Sequence, residues 1–325
     1  MKIGITYDLR QAYLDEGYGE EETAEFDRPD TIDSIERTLQ ELGYETDRIG
    51  NIRQLVARLA KGDRWDLVFN IAEGLKGFGR EAQIPALLEA YNIPCTFSDP
   101  MVLALSLHKG MTKRVLRDAG LPTADFAIVE TEEDIDKVNL EYPLFAKPIA
   151  EGTAKGVTNV SKLHNYNELN TVCRNLLKKY KQPVLVETFL PGREVTVGIV
   201  GTGKKAKVLG VVEVILKENA EAHAYTYVNK ENCEELTIIR LVDDAQAQKA
   251  AKIALGAHIA LNCRDTSRVD IREDVHGEPM IMEINPLPGL HPAHSDLPIL
   301  CTLAGIPYKE LFKEIMLSAV TRVNQ

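Results

Sequence analysis

Residues 267–288, SRVDIREDVHGEPMIMEINPLP, hold two runs of alternating apolar and polar side chains on either side of His276-Gly277. A period of two marks a strand, and a glycine-bearing turn between two such runs makes them an antiparallel hairpin. With the turn centred on His276-Gly277, Asp270 faces Glu283 and Arg268 faces Asn285, and all four leave one side of the sheet. Directly opposed like charges destabilise a strand pair, so a cation is expected between the two acids. Oxygen donors from Asp, Glu and Asn suit Mg²⁺ or Mn²⁺, hard ions that bind through one or two carboxylates plus substrate phosphates. A solvated hairpin face of mixed charge, with no ion, fits the same pattern.

At 325 residues the chain exceeds one ordinary core and predicts two or three domains. Its 44% hydrophobic and 27% charged residues are those of a soluble globular protein. No apolar run approaches a membrane span, and the opening MKIGITYDLR lacks a secretory signal's apolar stretch. Five scattered cysteines without a C-x-x-C pair indicate thiols of a reducing compartment, so the cytoplasm is the expected location. A formal charge of −11 argues against nucleic acid as a partner while leaving room for a local basic nucleotide pocket.

Strand and helix signals alternate through residues 1–99. Lys2–Tyr7 reads as a strand, Asp30–Leu42 as an amphipathic helix with Asp30 as N-cap, and Asp66–Ile71 as a strand buried on both faces. A helix over Glu81–Tyr91 and a strand over Ile93–Phe97 complete a doubly wound α/β domain with a parallel sheet. Residues 100–188 read as a compact α+β unit: a helix over Leu103–Ala119, strands Phe126–Val129 and Leu144–Ala146, a helix over Asn165–Lys179, and strand Val184–Thr188. Residues 189–325 form a larger α+β domain that contains the hairpin and closes with a helix over Tyr308–Thr321.

A second constellation lies in the middle unit. Lys147 ends an apolar strand and leads into Glu151-Gly152-Thr153-Ala154-Lys155-Gly156. Amides freed by glycine, a hydroxyl and a positive charge are what a phosphate chain requires, although the Walker A spacing is absent. An ordinary surface loop has the same composition. Glu187-Thr-Phe-Leu-Pro-Gly-Arg-Glu194, at the end of another strand, offers a carboxylate and backbone polar groups beside Phe189 and Leu190 for the base and ribose of a nucleotide.

Taken in order, HKGMTKRVLRDAGLPT, AKPIAEGTAKGV, VETFLPGRE and the hairpin RVDI…MEINPLPG resemble the ATP-grasp ligases, and within them the D-alanine–D-alanine ligase branch. The match runs from about Phe69 to Tyr308. It implies a three-domain ATP-grasp architecture. It also implies ATP and two small-molecule substrates, at least one of them an amino acid, with a homodimer as a further analogy. Lys109 and Lys147 match lysines that contact ATP phosphates. Glu187, Leu190 and Glu194 match adenine and ribose positions, and Glu151, Gly152 and Thr153 belong to a loop that closes over the phosphates. Asp270, Glu283 and Asn285 match the ligands of two Mg²⁺ ions. Lys230 matches a mobile-loop lysine that reaches the γ-phosphate. Arg268 and Gly289 resemble donors to a tetrahedral intermediate, and Arg268 with Ser295 a clamp on the second amino acid's carboxylate.

The chain also departs from that branch. Its acidic loop Asp8–Arg28 is longer, Glu73-Gly74 stands where a His-Gly pair is usual, and Glu231 replaces a tyrosine. An insertion follows Gly289 and brings His291 and His294, read as substrate contacts near Ser295 or as structural residues. Glu73 and Glu231 imply an acyl donor that is larger or more cationic than alanine. The acidic run Glu20–Glu25 has the pattern of a solvated loop, with a substrate role as the alternative. Tyr225 and Tyr227 read as packing residues, and Cys233 has no His partner that would make it a nucleophile. The reading is an ADP-forming ligase with a non-standard acyl donor. An authentic D-alanine–D-alanine ligase, an ATP-grasp phosphotransferase and a non-catalytic nucleotide binder are the alternatives.

Overall fold

In the computed structural model the described residues are 1–217 and 237–323, so Lys230, Glu231, Tyr225, Tyr227 and Cys233 lie outside them. The apolar run Leu67–Asn70 (β3) is buried throughout and pairs in parallel with Lys2–Thr6 (β1), which in turn pairs with Glu45–Gly50 (β2). Alternate side chains of this sheet feed two cores. Ile3, Ile5 and Phe69 pack with Ile32, Ile35 and Leu39 of helix α2 (Pro29–Glu41), and Val68 packs with Leu55 and Leu59 of α3 (Ile52–Ala60). Helices cover both faces, as a doubly wound sheet requires.

Three expectations for this region are corrected. Ile93–Phe97 is not a strand; Cys95 makes a single parallel bridge to Val68, bonded through Pro94 O and Thr96 N. Asp30 is not the N-cap, because Pro29 already occupies the first turn and extended Arg28 precedes it; Asp30 instead caps its neighbour, accepting from Thr31 N. The single helix expected over Leu103–Ala119 is two, α5 (Pro100–Leu107) and α6 (Lys109–Asp118), broken at His108 with ψ of 89°. The His108 ring accepts from Met111 N and caps α6. The break turns Lys109 out of the helix line, with its amide on Ile149 O at 3.0 Å.

Phe126–Val129 (β4), Leu144–Pro148 (β5), Lys162–Leu163 (β6) and Val184–Thr188 (β7) form a four-stranded sheet of order β4-β7-β5-β6, backed by α7 (Tyr166–Tyr180). The five-stranded sheet has the order β10-β9-β8-β11-β12, from Glu194–Val200 (β8), Lys207–Leu216 (β9), Thr237–Leu241 (β10), Thr266–Glu273 (β11) and Pro279–Asn285 (β12). Ala247, Ala250, Ala254 and Ala257 of α8 (Ala245–Ala260) let that helix approach the sheet closely.

The hairpin β11–β12 sets Asp270 opposite Glu283 and Arg268 opposite Asn285. It reaches that register by two departures that cancel. Near the turn Ile271 faces Ile281 and Glu273 faces Pro279, one residue short of a turn centred on His276-Gly277. Met282 is the extra residue of a bulge, and beyond it the pairing is restored.

Helix α9 (Asp296–Leu303) and helix α10 (Tyr308–Val323) close the chain. Phe312 of α10 stacks on Phe69 of β3, ring centroids 5.4 Å apart and 14° between planes, so the last helix completes the first core. Asp265, fully buried, pins the same junction: its carboxylate accepts from Phe97 N at 2.8 Å, Ser318 Oγ at 2.9 Å and Arg322 at 2.7 Å. Among the described residues no helix is long and apolar enough to cross a membrane. Because Asp265→Ala leaves Arg322 and an amide without their partner, it is expected to cost about 3–5 kcal/mol of stability. Urea unfolding followed by the fluorescence of buried Trp65 measures this, and a loss under about 1 kcal/mol, the value of an ordinary hydrogen bond, contradicts it.

Candidate active site

The ends of the four- and five-stranded sheets line a cleft of about 110 Å³ that includes Lys147, Glu187, Leu190, Glu194, Asp270 and Glu283. Lys147 lies one residue from the end of β5 and Glu187 one residue from the end of β7, diagonal neighbours in the antiparallel pair. Glu187 bridges Lys147 at 2.7 Å and Lys113 at 2.8 Å, all three buried. Burial alone would raise the Glu187 pKa; Lys113 and Lys147 outweigh it and hold the carboxyl at about 2. Two cations lie over the Phe189 ring, Lys162 Nζ at 4.3 Å and the Arg272 guanidinium at 5.4 Å from its centre.

The loop after β5 covers this cleft. Thr153, Ala154 and Gly156 all have positive φ, which for β-branched Thr153 stores about 1–3 kcal/mol of strain. Lys109 Nζ donates to Glu151 O at 2.6 Å and pairs with Glu283 at 3.5 Å. Lys155 pairs with Glu151 at 2.6 Å and with Glu25 at 3.4 Å. Glu25 also accepts from Gly152 N at 2.5 Å and Arg80 at 3.0 Å, so the N-terminal acidic loop is docked on the loop over the cleft. A Cβ at Gly152 would fall 2.5 Å from that same carboxylate, which is why glycine is needed there.

On the hairpin, Asp270 accepts from Thr196 Oγ1 at 2.9 Å, from Arg268 at 2.9 Å and from Asn285 Nδ2 at 3.3 Å. Arg268 lies between the opposed acids, 3.9 Å from Glu283, and reaches Asp296 at 3.2 Å. Burial works against its charge, but Asp270 and Asp296 more than offset this and its pKa goes up. Among the described residues no group of three His, Cys, Asp or Glu side chains converges as a complete metal cage. Two carboxylates and one carboxamide on adjacent strands instead fit a hard divalent ion that takes its remaining oxygens from phosphates and water.

A second, larger cavity of about 470 Å³ opens beside the cleft and shares Lys109, Glu151, Gly152 and Glu283 with it. Arg268, Asn285, Gly289, His294, Ser295 and Glu73 all lie on its wall. Gly289 lets the loop fold back, since a Cβ there would sit 2.8 Å from Ser295 Oγ, which accepts from His291 N at 2.9 Å. His291 pairs with Asp30 at 3.3 Å, and its ring lies 4.4 Å from that of His294. The same wall carries Glu25, Asp27, Glu81 and Asp296, none of which bears a sequence mark of its own; Glu25 belongs to the acidic run whose solvated reading is thereby corrected. Lys113, in phase with Lys109 on α6, was equally invisible as the partner of Glu187.

A cleft between two antiparallel sheets, lysines on one side and an Asp/Glu/Asn hairpin on the other, is the site of an ATP-grasp ligase. The family description "D-ala D-ala ligase C-terminus" matches residues 115–317. The D-alanine–D-alanine ligase of Bordetella petrii is 31% identical over 294 residues, 89% of this chain and 86% of its own. An uncharacterized protein of Sinorhizobium fredii, y4sG, is 33% identical over 87% of this chain and 85% of its own. The chain belongs to the D-alanine–D-alanine ligase family, ATP-dependent ligases that form carbon–nitrogen bonds and release ADP. The fold agrees: D-alanine–D-alanine ligase from Bacillus anthracis complexed with ATP superposes with a TM-score of 0.74, covering 100% of this chain and 99% of its own at 21% identity. VanG D-Ala:D-Ser ligase from Enterococcus faecalis gives 0.74 over 98% and 99% at 19% identity.

Glu187 supplies a pH test. Its folded pKa lies below the ordinary carboxylate value of 4.5, so the stability it contributes is present above pH 4.5 and is lost as pH falls toward about 2. Glu187→Gln is expected to lower stability at pH 7, where Lys113 and Lys147 lose their counter-ion, and to flatten the fall between pH 4.5 and about 2. Parallel stability–pH curves for both proteins in that window contradict the ion pair's role.

Proposed function

We propose that the protein activates the carboxylate of one small substrate with ATP and joins it to the amine of an amino acid, the acyl donor being other than alanine. The observation that carries this reading is the meeting of the two spaces at Lys109, Glu151, Gly152 and Glu283, a corner reachable from the nucleotide cleft and from the larger cavity. A carboxylate does not accept an amine at neutral pH because its oxygen is a poor leaving group. Attack of the donor carboxylate on the γ-phosphorus, with departure of ADP, yields an acylphosphate; attack of the amine on its carbonyl carbon then expels phosphate.

The chain's own residues divide this work. Leu190, Glu187 and Glu194 hold base and ribose, while Lys109 and Lys147 pair with the phosphates and Lys230 with the γ-phosphate. The loop Glu151–Gly156 shields the acylphosphate from water. Asp270, Glu283 and Asn285 would hold two divalent ions, which supply charge neutralisation of the triphosphate. Arg268 and the Gly289 amide donate to the oxyanion, and Ser295 with His294 receives the acceptor. Glu73 and Glu231 are the residues assigned to selecting the donor, in a cytoplasmic enzyme.

Release of ADP and inorganic phosphate that requires an added amino acid, with an amide in the product, tests the reading, since a phosphotransferase leaves the phosphoryl group on its acceptor and a nucleotide binder releases neither. Arg268→Met is expected to lower kcat by about 10²–10³-fold, the usual effect of losing one oxyanion donor. Asn285→Asp should retain Mn²⁺ binding by calorimetry yet turn over poorly, and unchanged turnover would remove Asn285 from its assigned role.

A further inference from the structure

The acids of the larger cavity do not all have counter-charges. Glu25 is paired with Arg80, Glu151 with Lys155, Glu283 with Lys109, and Asp296 with Arg268. Asp27, Glu73 and Glu81 line the same cavity, and their carboxylates have neither an ion pair nor a hydrogen bond among the described residues. The cations that bear on Glu81 are Arg80 and Lys109, and both are committed elsewhere, Arg80 to Glu25 and Ala150 O, Lys109 to Glu283 and Glu151 O. Arg28 stands on the exposed rim and makes no ion pair with them. Removing carboxylates from bulk water without partners is costly, and burial accordingly raises the pKa of all three, Asp27 to about 8.

Resting on the ligase reading above, we propose that the acyl donor is a diamino acid whose second protonated amine is received by Asp27, Glu73 and Glu81. The α-ammonium of a simple amino acid would answer one of three unpartnered acids, and a second ammonium answers the surplus. The three acids border a cavity rather than a closed cage, a setting for an organic cation carried on a substrate. Room is available: a cavity of about 470 Å³ lies within the range of roughly 300–1,000 Å³ that holds drug-sized ligands. Lys109 and Glu283, at the corner shared with the nucleotide cleft, line the same cavity as the three acids. A donor with its carboxylate at that corner therefore has its amine-bearing side chain in the space that Asp27, Glu73 and Glu81 border.

The full chain, ATP, Mg²⁺ and hydroxylamine identify the donor directly, because hydroxylamine traps an acylphosphate as a hydroxamate from a single acid without an acceptor. Alanine, 2,3-diaminopropionate, ornithine and lysine are compared in both hands. At least one diamino acid is expected to exceed alanine of the same hand in kcat/KM by about tenfold or more, the discrimination one charged hydrogen bond provides. Asp27→Asn and Glu73→Gln, which keep shape, should each reduce that ratio by about tenfold, a change that a merely structural role would not produce. Alanine matching or exceeding every diamino acid, or a ratio unmoved in both variants, overturns the donor assignment. Hydroxamate from no acid at all overturns the ligase reading itself, and the donor assignment with it.

Discussion

Two carboxylates held face to face on neighbouring strands govern this molecule. Asp270 and Glu283 repel, and the chain places a guanidinium between them, an ammonium from Lys109 beside Glu283, and a hydroxyl and a carboxamide against Asp270. The arrangement is held in a sheet with β8 on the other flank of β11, so its geometry is set by backbone pairing rather than by the mobility of long side chains. A cationic corner with two fixed acids is suited to an anionic triphosphate and its metal only if both charges are present, and the strands make sure of both.

The other walls are built by tertiary meetings. Glu25 comes from the N-terminal domain and Gly152 from the loop over the cleft, yet the carboxylate touches the amide. Glu21, paired with Lys179 and bonded by Tyr180 on α7, secures the same loop from outside. The wall of the larger cavity and the loop over the cleft are thus joined at Glu25, which pairs with Arg80 and Lys155, both buried.

What the sequence made legible follows from range. Strands with a clear period or a continuous apolar run, such as Leu67–Asn70 and the hairpin, announce themselves locally. The strand Glu45–Gly50 does not, because ETDRIG is a half-exposed edge whose charges are held by partners distant in sequence, Asp47 by Arg58 and Arg48 by Asp33 and Glu36. Helix α3 does carry a local mark, the capping box of Asn51 and Gln54. The break at His108 is hidden because a mostly apolar run leads up to it, and its supports are the His108 ring on Met111 N and the distant Ile149 carbonyl on Lys109 N. The lysines and hairpin acids carry motifs that travel together. Asp27, Glu81 and Lys113 do not, since what matters about each is its neighbour in space and nothing in the local string records that neighbour.

The stack of Phe312 on Phe69 joins residues from opposite ends of the chain. Helix α2 already lies against β1 and β3 on the face of Phe69, but that ring lacks its stacked partner until helix Tyr308–Val323 joins the core. The first core is therefore finished by a contact between residues far apart in sequence, so its last step is the closing of a very long loop.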